Sequence, residues 1–343
     1  MNRTQPHLTI VIPCYNEQEV LNETIDQLTL VLHQLTLEKL LAPSSKLLFV
    51  DDGSIDNTWK IIARSSTKNK YVTGLRLARN VGHQTALLAG LERAQKDCDC
   101  AISIDADLQD DISVIRDFVE KYQDGYEVVY GVRHSRKTDT YFKRTTAQSF
   151  YKLMGKLGIN LVYNHADYRL MSCRVLKQLS KYREVNLFLR GIVPMIGFRS
   201  TEVLYDRKER YAGETKYPLK KMLSFAFNGL TSFSVAPIRF ITMIGFTLFF
   251  LSGIAGTYAI IQKLFGVTDA GWTSLMISIW FIGGLQLMGI GIIGEYIGRV
   301  FMETKKRPKY AIDVDLYTNK DPLSYLKPKE NQTLNAKKVQ WKR

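Results

Sequence analysis

Four carboxylates, Asp105, Asp107, Asp110 and Asp111, crowd into the stretch SIDADLQDD at the end of the apolar run CAISI. Asp105 and Asp107 stand two residues apart, so at the end of a strand their side chains can converge on one point. Converging carboxylates repel unless a cation neutralises them. Mg2+ or Mn2+ suits such a pair, because these ions take oxygen ligands and keep places for water and phosphate oxygens. Gln109 adds a neutral oxygen at the same spacing. Asp110 and Asp111 are expected to cap the following helix, where carboxylates meet the positive end of the helix dipole. The stretch is not a calcium loop, since Asp110 stands where that loop needs Gly and Arg116 where it needs a bidentate Glu.

The residues that must position this cluster alternate between apolar runs and amphipathic segments. LTIVIP (8–13), KLLFV (46–50), VTGLRL (72–77), CAISI (100–104) and EVVYG (127–131) read as strands. Helical patterns lie between them: one running to about Leu40, then Thr58–Ser66, 83–96 and Ile112–Tyr122. Such alternation predicts a parallel sheet covered on both faces. Ligands of such sheets bind beyond the carboxyl ends of the strands. Those ends carry PCYNE, DDGSIDNT, ARNVGHQ, DADLQDD and GVRHSR. Carboxylates, amides, glycines and arginines gathered there suit a nucleotide diphosphate held with a divalent metal. No GxxxxGK[ST] occurs and no GxGxxG follows the first strand, which argues against kinase, ATPase and dehydrogenase chemistry.

The second half is of another kind. Residues 240–262 hold no charge over 23 positions and residues 270–294 none over 25, each enough to cross a bilayer. Seven residues, KLFGVTD, join them, which predicts a transmembrane hairpin with both outer ends on one side. The chain carries a net charge of +14, and residues 295–343 hold twelve Lys or Arg against six Asp or Glu. Basic flanks place the soluble part and the C-terminal segment in the cytoplasm. The first ten residues hold no apolar signal region. Cys14, Cys98, Cys100 and Cys173 form no CxxC pair and read as free thiols. The basic charge lacks an interleaved aromatic platform, so an anionic leaflet and phosphate substrates explain it better than nucleic acid. Within 217–234, Leu219, Met222, Leu223, Ala226, Phe227, Leu230 and Phe233 share one helical face, as in a helix lying in the interface plane or one packed on the catalytic domain. Gly294 and Gly298 form a GxxxG, and Glu295 and Arg299 have the spacing of a helical ion pair.

The motifs VIPCYNE, VDDGSIDNT, RNVGHQTALLAGL, DADLQD, DYRLMS and RYAGETKYP, in this order, resemble the inverting nucleotide-sugar glycosyltransferases of family two. The closer resemblance is to the branch that moves one sugar onto a polyprenyl phosphate, as dolichyl-phosphate mannose synthases and bacterial undecaprenyl-phosphate glycosyltransferases do. It covers about residues 8–310, and the QxxRW motif of processive synthases is absent.

The resemblance implies an α/β fold, a GT-A-type, Rossmann-like, mostly parallel sheet domain over 1–215. A juxtamembrane amphipathic helix would follow over 216–238, two transmembrane helices (about 240–262 and 270–294) over 239–300, and a basic cytoplasmic tail over 301–343. It implies a multi-pass protein of the bacterial inner membrane with its catalytic domain cytoplasmic, and a homo-oligomer, tetrameric in the family.

At the site, Pro13, Tyr15 and Glu17, with Asp51 or Asp52, would hold base and ribose. Asp105, Asp107 and Gln109 would hold Mg2+ or Mn2+ and, through it, the diphosphate. Arg133, Arg210 and Lys216 would contact phosphates. Asp167 and Arg169 sit where the family has a carboxylate beside the acceptor phosphate. Thr215 and Tyr168 depart mildly from the usual Ser and Phe, and His165 has no role in the pattern. A phosphate acceptor is already largely dianionic at pH 7, with a second pKa near ~6, so Asp167 is read as an orienting residue. A base role stays open. The implied activity is transfer of glucose or an N-acetylhexosamine from a UDP-sugar to undecaprenyl phosphate. GDP-mannose as donor, or a non-catalytic scaffold, are the alternatives.

Overall fold

The computed structural model describes residues 5–134, 165–184, 188–206 and 271–318, together with helical residues between 241 and 261. Eight strands form one sheet in the order β7-β5-β6-β4-β1-β2-β3-β8. Strands β1 (Leu8–Cys14), β2 (Lys46–Asp51), β3 (Val72–Leu77) and β4 (Cys100–Ser103) are parallel neighbours, and β5 (Val128–Arg133) pairs in parallel with β7 (Ser200–Tyr205). Every residue of β1 is buried, so its LTIVIPC sequence carries no solvent face. Leu8, Ile10 and Ile12 enter one apolar layer with α1 (Leu21–Leu37), α2 (Thr58–Lys68) and α4 (Ile115–Gln123). Val11 enters the other, with α3 (His83–Ala94), α5 (Cys173–Leu179) and α6 (Leu189–Met195). This is the period-two alternation of a sheet covered on both faces.

Two strands run against the rest. β6 (His165–Ser172) lies antiparallel between β4 and β5. The start of β6 therefore stands at the carboxyl ends of the parallel strands, beside DADLQDD. β8 (Ile312–Asp315) pairs antiparallel with β3 and closes that edge. Part of the segment expected as a basic cytoplasmic tail, up to Thr318, packs against the sheet. Helix α7 (Trp272–Thr304) runs past 300, and the chain then returns to the sheet. Arg93 Nε donates to Asp315 Oδ2 at 3.0 Å, Tyr310 Oη bonds Glu92, and Thr9 Oγ1 meets Tyr317 Oη at 3.2 Å. The strand was hidden because IDVD is short and charged, and its partner lies more than 230 residues earlier.

Helix α7 has 33 residues, about 50 Å at 1.5 Å per residue. Among the described residues it alone is long and apolar enough to cross a membrane, over Phe281–Thr304. That window ends ten residues beyond the expected Gly294. Glu295 and Arg299 pair at 3.3 Å, as their spacing predicts. The amphipathic segment 217–234 lies outside the described residues.

Candidate active site

The loop after β1 is stitched to the loop after β2. Asn16 N donates to Ser54 Oγ, Ile55 N to Asn16 Oδ1, and Glu17 N to Thr58 Oγ1. These bonds bring Pro13, the 40% exposed Tyr15, and Glu17 to the end of β2, where Asp51 lies fully buried. Asp51 Oδ1 accepts from Ser54 N at 3.2 Å, whereas its buried Oδ2 has no hydrogen-bond partner. Arg76 Nε stands 3.6 Å from that oxygen. Burial pushes the Asp51 carboxyl upward, against Ser54 and Arg76.

Asp52 does something else. Its two oxygens accept from Val81 N at 2.8 Å and Gly82 N at 2.9 Å. It thereby braces the entry to α3. The same brace sets His83, the first residue of α3, at the edge of the cleft. Farther along α3, a Cβ at Gly90 would come within 2.4 Å of Val11 and 2.7 Å of Val50. Glycine there lets the helix lie close against β1 and β2.

Beyond β4 the chain turns at Leu108, whose φ is +53°. Asp107 Oδ1 accepts from Gln109 N at 3.3 Å. The Asp105 carboxyl is pushed up to about 6 by lost solvation and by Asp110, Asp167 and Asp107, with His83 opposing. Asp111 caps the short 3-10 turn at Ile112–Val114 by accepting from Ser113 N at 3.1 Å. Asp110 does not cap. It is buried, accepts from Tyr205 Oη at 2.5 Å, and lies 3.5 Å from Arg133 Nη2. Asp110 and Tyr205 thus hold Arg133 at the end of β5.

On β6, Ser103 Oγ bonds the backbone oxygen of Asp167, tying the two strand ends together. Asp167 Oδ1 accepts from Arg169 Nη2 at 2.7 Å and from Arg190 Nε at 3.2 Å, and its Oδ2 accepts from Arg190 Nη2 at 3.1 Å. His83 Nε2 lies 3.8 Å from Asp167 Oδ2 and 3.5 Å from Asp105 Oδ1. Burial alone would raise the Asp167 carboxyl, but Arg190 and Arg169 outweigh it and hold the group far below the usual carboxylate range. Arg169 is 1% exposed and spends one Nη on Leu189 O. It therefore supports Asp167 from beneath. Arg190, on α6, keeps 34% of its side chain exposed while it bonds Asp167. Sequence reasoning missed both Arg190 and His83. His83 sat in the quoted RNVGHQ motif, and Arg190 in an apolar helix that carried no motif. Arg210 and Lys216 lie outside the described residues.

Residues 9–180 match the family described as glycosyl transferase family 2. The chain belongs to that family. It is 69% identical over 337 residues to the glycosyltransferase YkoT of Bacillus subtilis (strain 168), covering 98% of this chain and 99% of that one. It is 40% identical over 310 residues to a prophage bactoprenol glucosyl transferase homolog of Escherichia coli (strain K12), covering 89% and 98%. Among solved structures, glucosyl-3-phosphoglycerate synthase of Mycobacterium tuberculosis aligns with 65% of this chain and 76% of its own, at 16% identity and a TM-score of 0.43. The family 2 protein described here is a glycosyltransferase, with the carboxylates and arginines above gathered at the carboxyl ends of its parallel strands.

Proposed function

We propose that this family 2 glycosyltransferase is a membrane-anchored inverting enzyme that moves one glucose or N-acetylhexosamine from a UDP-sugar to undecaprenyl phosphate. The acceptor reading is supported by near full-length similarity to proteins named bactoprenol glucosyl transferase. The observation that carries the site is the position of His83 Nε2, 3.5 Å from Asp105 Oδ1 and 3.8 Å from Asp167 Oδ2, with Arg190 Nη2 donating to that same Asp167 oxygen at 3.1 Å. One side suits a metal-bound diphosphate and the other a phosphate acceptor.

Asp105, Asp107 and Gln109 fit a small hard cation such as Mg2+ or Mn2+. Among the described residues no cluster of three or more His, Cys, Asp or Glu is placed to hold a metal alone. Two carboxylates and an amide leave coordination places for diphosphate oxygens and water. When bound, such an ion supplies Lewis-acid stabilisation of the leaving diphosphate.

The residues divide the remaining work. Asp51, with a buried oxygen that lacks a donor, suits an N–H of the base, and Tyr15 offers an exposed ring beside it. Arg133, anchored by Asp110 and Tyr205, serves the donor phosphates, with Arg210 and Lys216 from the RYAGETKYP segment. A bidentate Arg and a point-charge Lys suit phosphate oxygens. Asp167 accepts hydrogen bonds from Arg190 and Arg169 and aims Arg190 at the acceptor. An acceptor phosphate oxygen bonds to the anomeric carbon as that carbon's bond to the diphosphate oxygen breaks, and the electron pair leaves on the diphosphate. The attacking oxygen carries no proton at pH 7, so Asp167 need remove none.

The apolar α7 anchors the enzyme in the cell membrane, near its lipid acceptor. The test is full-length protein in vesicles with labelled UDP-sugars and undecaprenyl phosphate. A chloroform-extractable sugar lipid is expected, dependent on divalent metal and lost in Asp107→Ala. No such product with any common UDP-sugar overturns the reading.

A further inference from the structure

We infer that His83 is an acceptor-binding residue, which with Arg190 seats the lipid phosphate between Asp105 and Asp167. The inference rests on the proposed polyprenyl phosphate acceptor. His83 Nε2 stands 3.5 Å from Asp105 Oδ1 and 3.8 Å from Asp167 Oδ2. Carboxylates only accept, so the nitrogen facing them is the N–H side of the ring. With 38% of its side chain exposed, the imidazole is open to the cleft.

Its position is set from two sides. Asp52 holds Val81 N and Gly82 N behind it. Next to it, Gln84 Oε1 accepts from Leu189 N at 3.4 Å, and Leu189 O accepts from Arg169. The first turn of α3 is thereby locked to the first turn of α6, which carries Arg190. His83 from one helix and Arg190 from the other converge on the same oxygen, Asp167 Oδ2, at 3.8 Å and 3.1 Å.

Two donors converging on one anionic oxygen form the geometry that also receives a phosphate oxygen. The Asp167 carboxylate cannot itself bind a dianion. It fixes the direction of both donors, while Arg190 and Arg169 supply the compensating charge. The place also matches the reaction. Displacement at the anomeric carbon requires the acceptor phosphate opposite the leaving diphosphate, and His83 lies between the residues assigned to the two. There His83 N–H holds one phosphate oxygen while another attacks, and no proton changes hands.

The experiment compares wild type, His83→Ala and His83→Gln as full-length proteins in vesicles, with KM measured separately for UDP-glucose and undecaprenyl phosphate. UDP-glucose binding is followed by calorimetry and folding by thermal melting. A hydrogen bond to a charged group corresponds to about a tenfold effect or more. His83→Ala is expected to raise the acceptor KM by about that factor, with the donor KM and UDP-glucose binding within about twofold. His83→Gln, which keeps an N–H, is expected to recover most of the loss. An unchanged acceptor KM in His83→Ala overturns the role, whether activity is intact or falls through kcat, the donor KM or melting. A Gln variant no better than Ala also overturns it. Wild type that binds UDP-glucose but transfers nothing to undecaprenyl phosphate overturns the acceptor reading instead.

Discussion

Asp167 accepts from two guanidinium groups and is 9% exposed, so its charge is already spent on holding them in place. Its folded pKa is depressed, so the stability it contributes is present above the unfolded pKa and is lost only as pH falls through the folded one. It stays ionised throughout any neutral assay. Asp167→Asn leaves the buried Arg169 without its counter-charge and is expected to cost about 3 kcal/mol of stability, measured by denaturant unfolding. The same variant is expected to lower activity and, because the Asp167 charge helps raise the Asp105 carboxyl, to move the acid limb of the pH profile to lower pH if Asp105 sets it. That limb is expected to follow the acceptor phosphate, at ~6, and the Asp105 carboxyl, which is pushed up to about 6. Activity is expected to fall as pH drops through this range. Raising Mn2+ moves the limb to lower pH if Asp105 sets it, and leaves it in place if the phosphate does.

At the scale of elements, the sheet edge and the approach of α3 decide the site. Asp315 is raised by burial, but bonds from Thr318 and Arg93 outweigh this and keep its carboxyl below the usual range. Its contribution is therefore present at neutral pH and lost as pH falls below about 4. The Ala78 amide, which donates to Ala311 O at 2.9 Å, reports on β8 docking. Its protection against hydrogen exchange, relative to an unfolded amide at the same pH, is expected to fall below that pH, and to be low at pH 7 already in Asp315→Asn. Gly90→Val would force α3 away from Val11 and Val50. Overpacking of this kind costs about 1–3 kcal/mol, read from thermal melting, and shifts His83 with the helix.

For the whole molecule, β8 ties the far end of α7 to the catalytic sheet. The end of the apolar helix and the active site must therefore lie on one side of any membrane it crosses. Phe281, Leu287 and Ile290 are 61%, 72% and 65% exposed, so the helix offers its apolar side chains to its surroundings. Lys305, Lys306 and Arg307 follow immediately, where basic residues favour the cytoplasmic face. Lys306→Cys is expected to react with a membrane-impermeant thiol reagent in inverted vesicles and not in intact cells. Labelling in intact cells would place the helix the other way round.

The sequence by itself determined the alternating α/β pattern, the strand ends at which carboxylates and arginines gather, and the apolar helix. These are local properties: periodicity of burial, and short motifs whose residues fold as one loop. Only the tertiary structure decided which side chains bond to one another and which are left without a hydrogen-bond donor. Asp51 and Asp52 are adjacent, yet one leaves a buried oxygen without a donor while the other is consumed by Val81 and Gly82. Asp110 and Asp111 look alike, yet one caps a turn and the other anchors Arg133. His83, Asp167 and Arg190 come from three elements, and β8 crosses more than 230 residues to reach β3. No local pattern encodes such meetings, because they depend on the antiparallel entry of β6 and the close packing of α3. Those are set by the burial of the whole sheet and not by any segment alone.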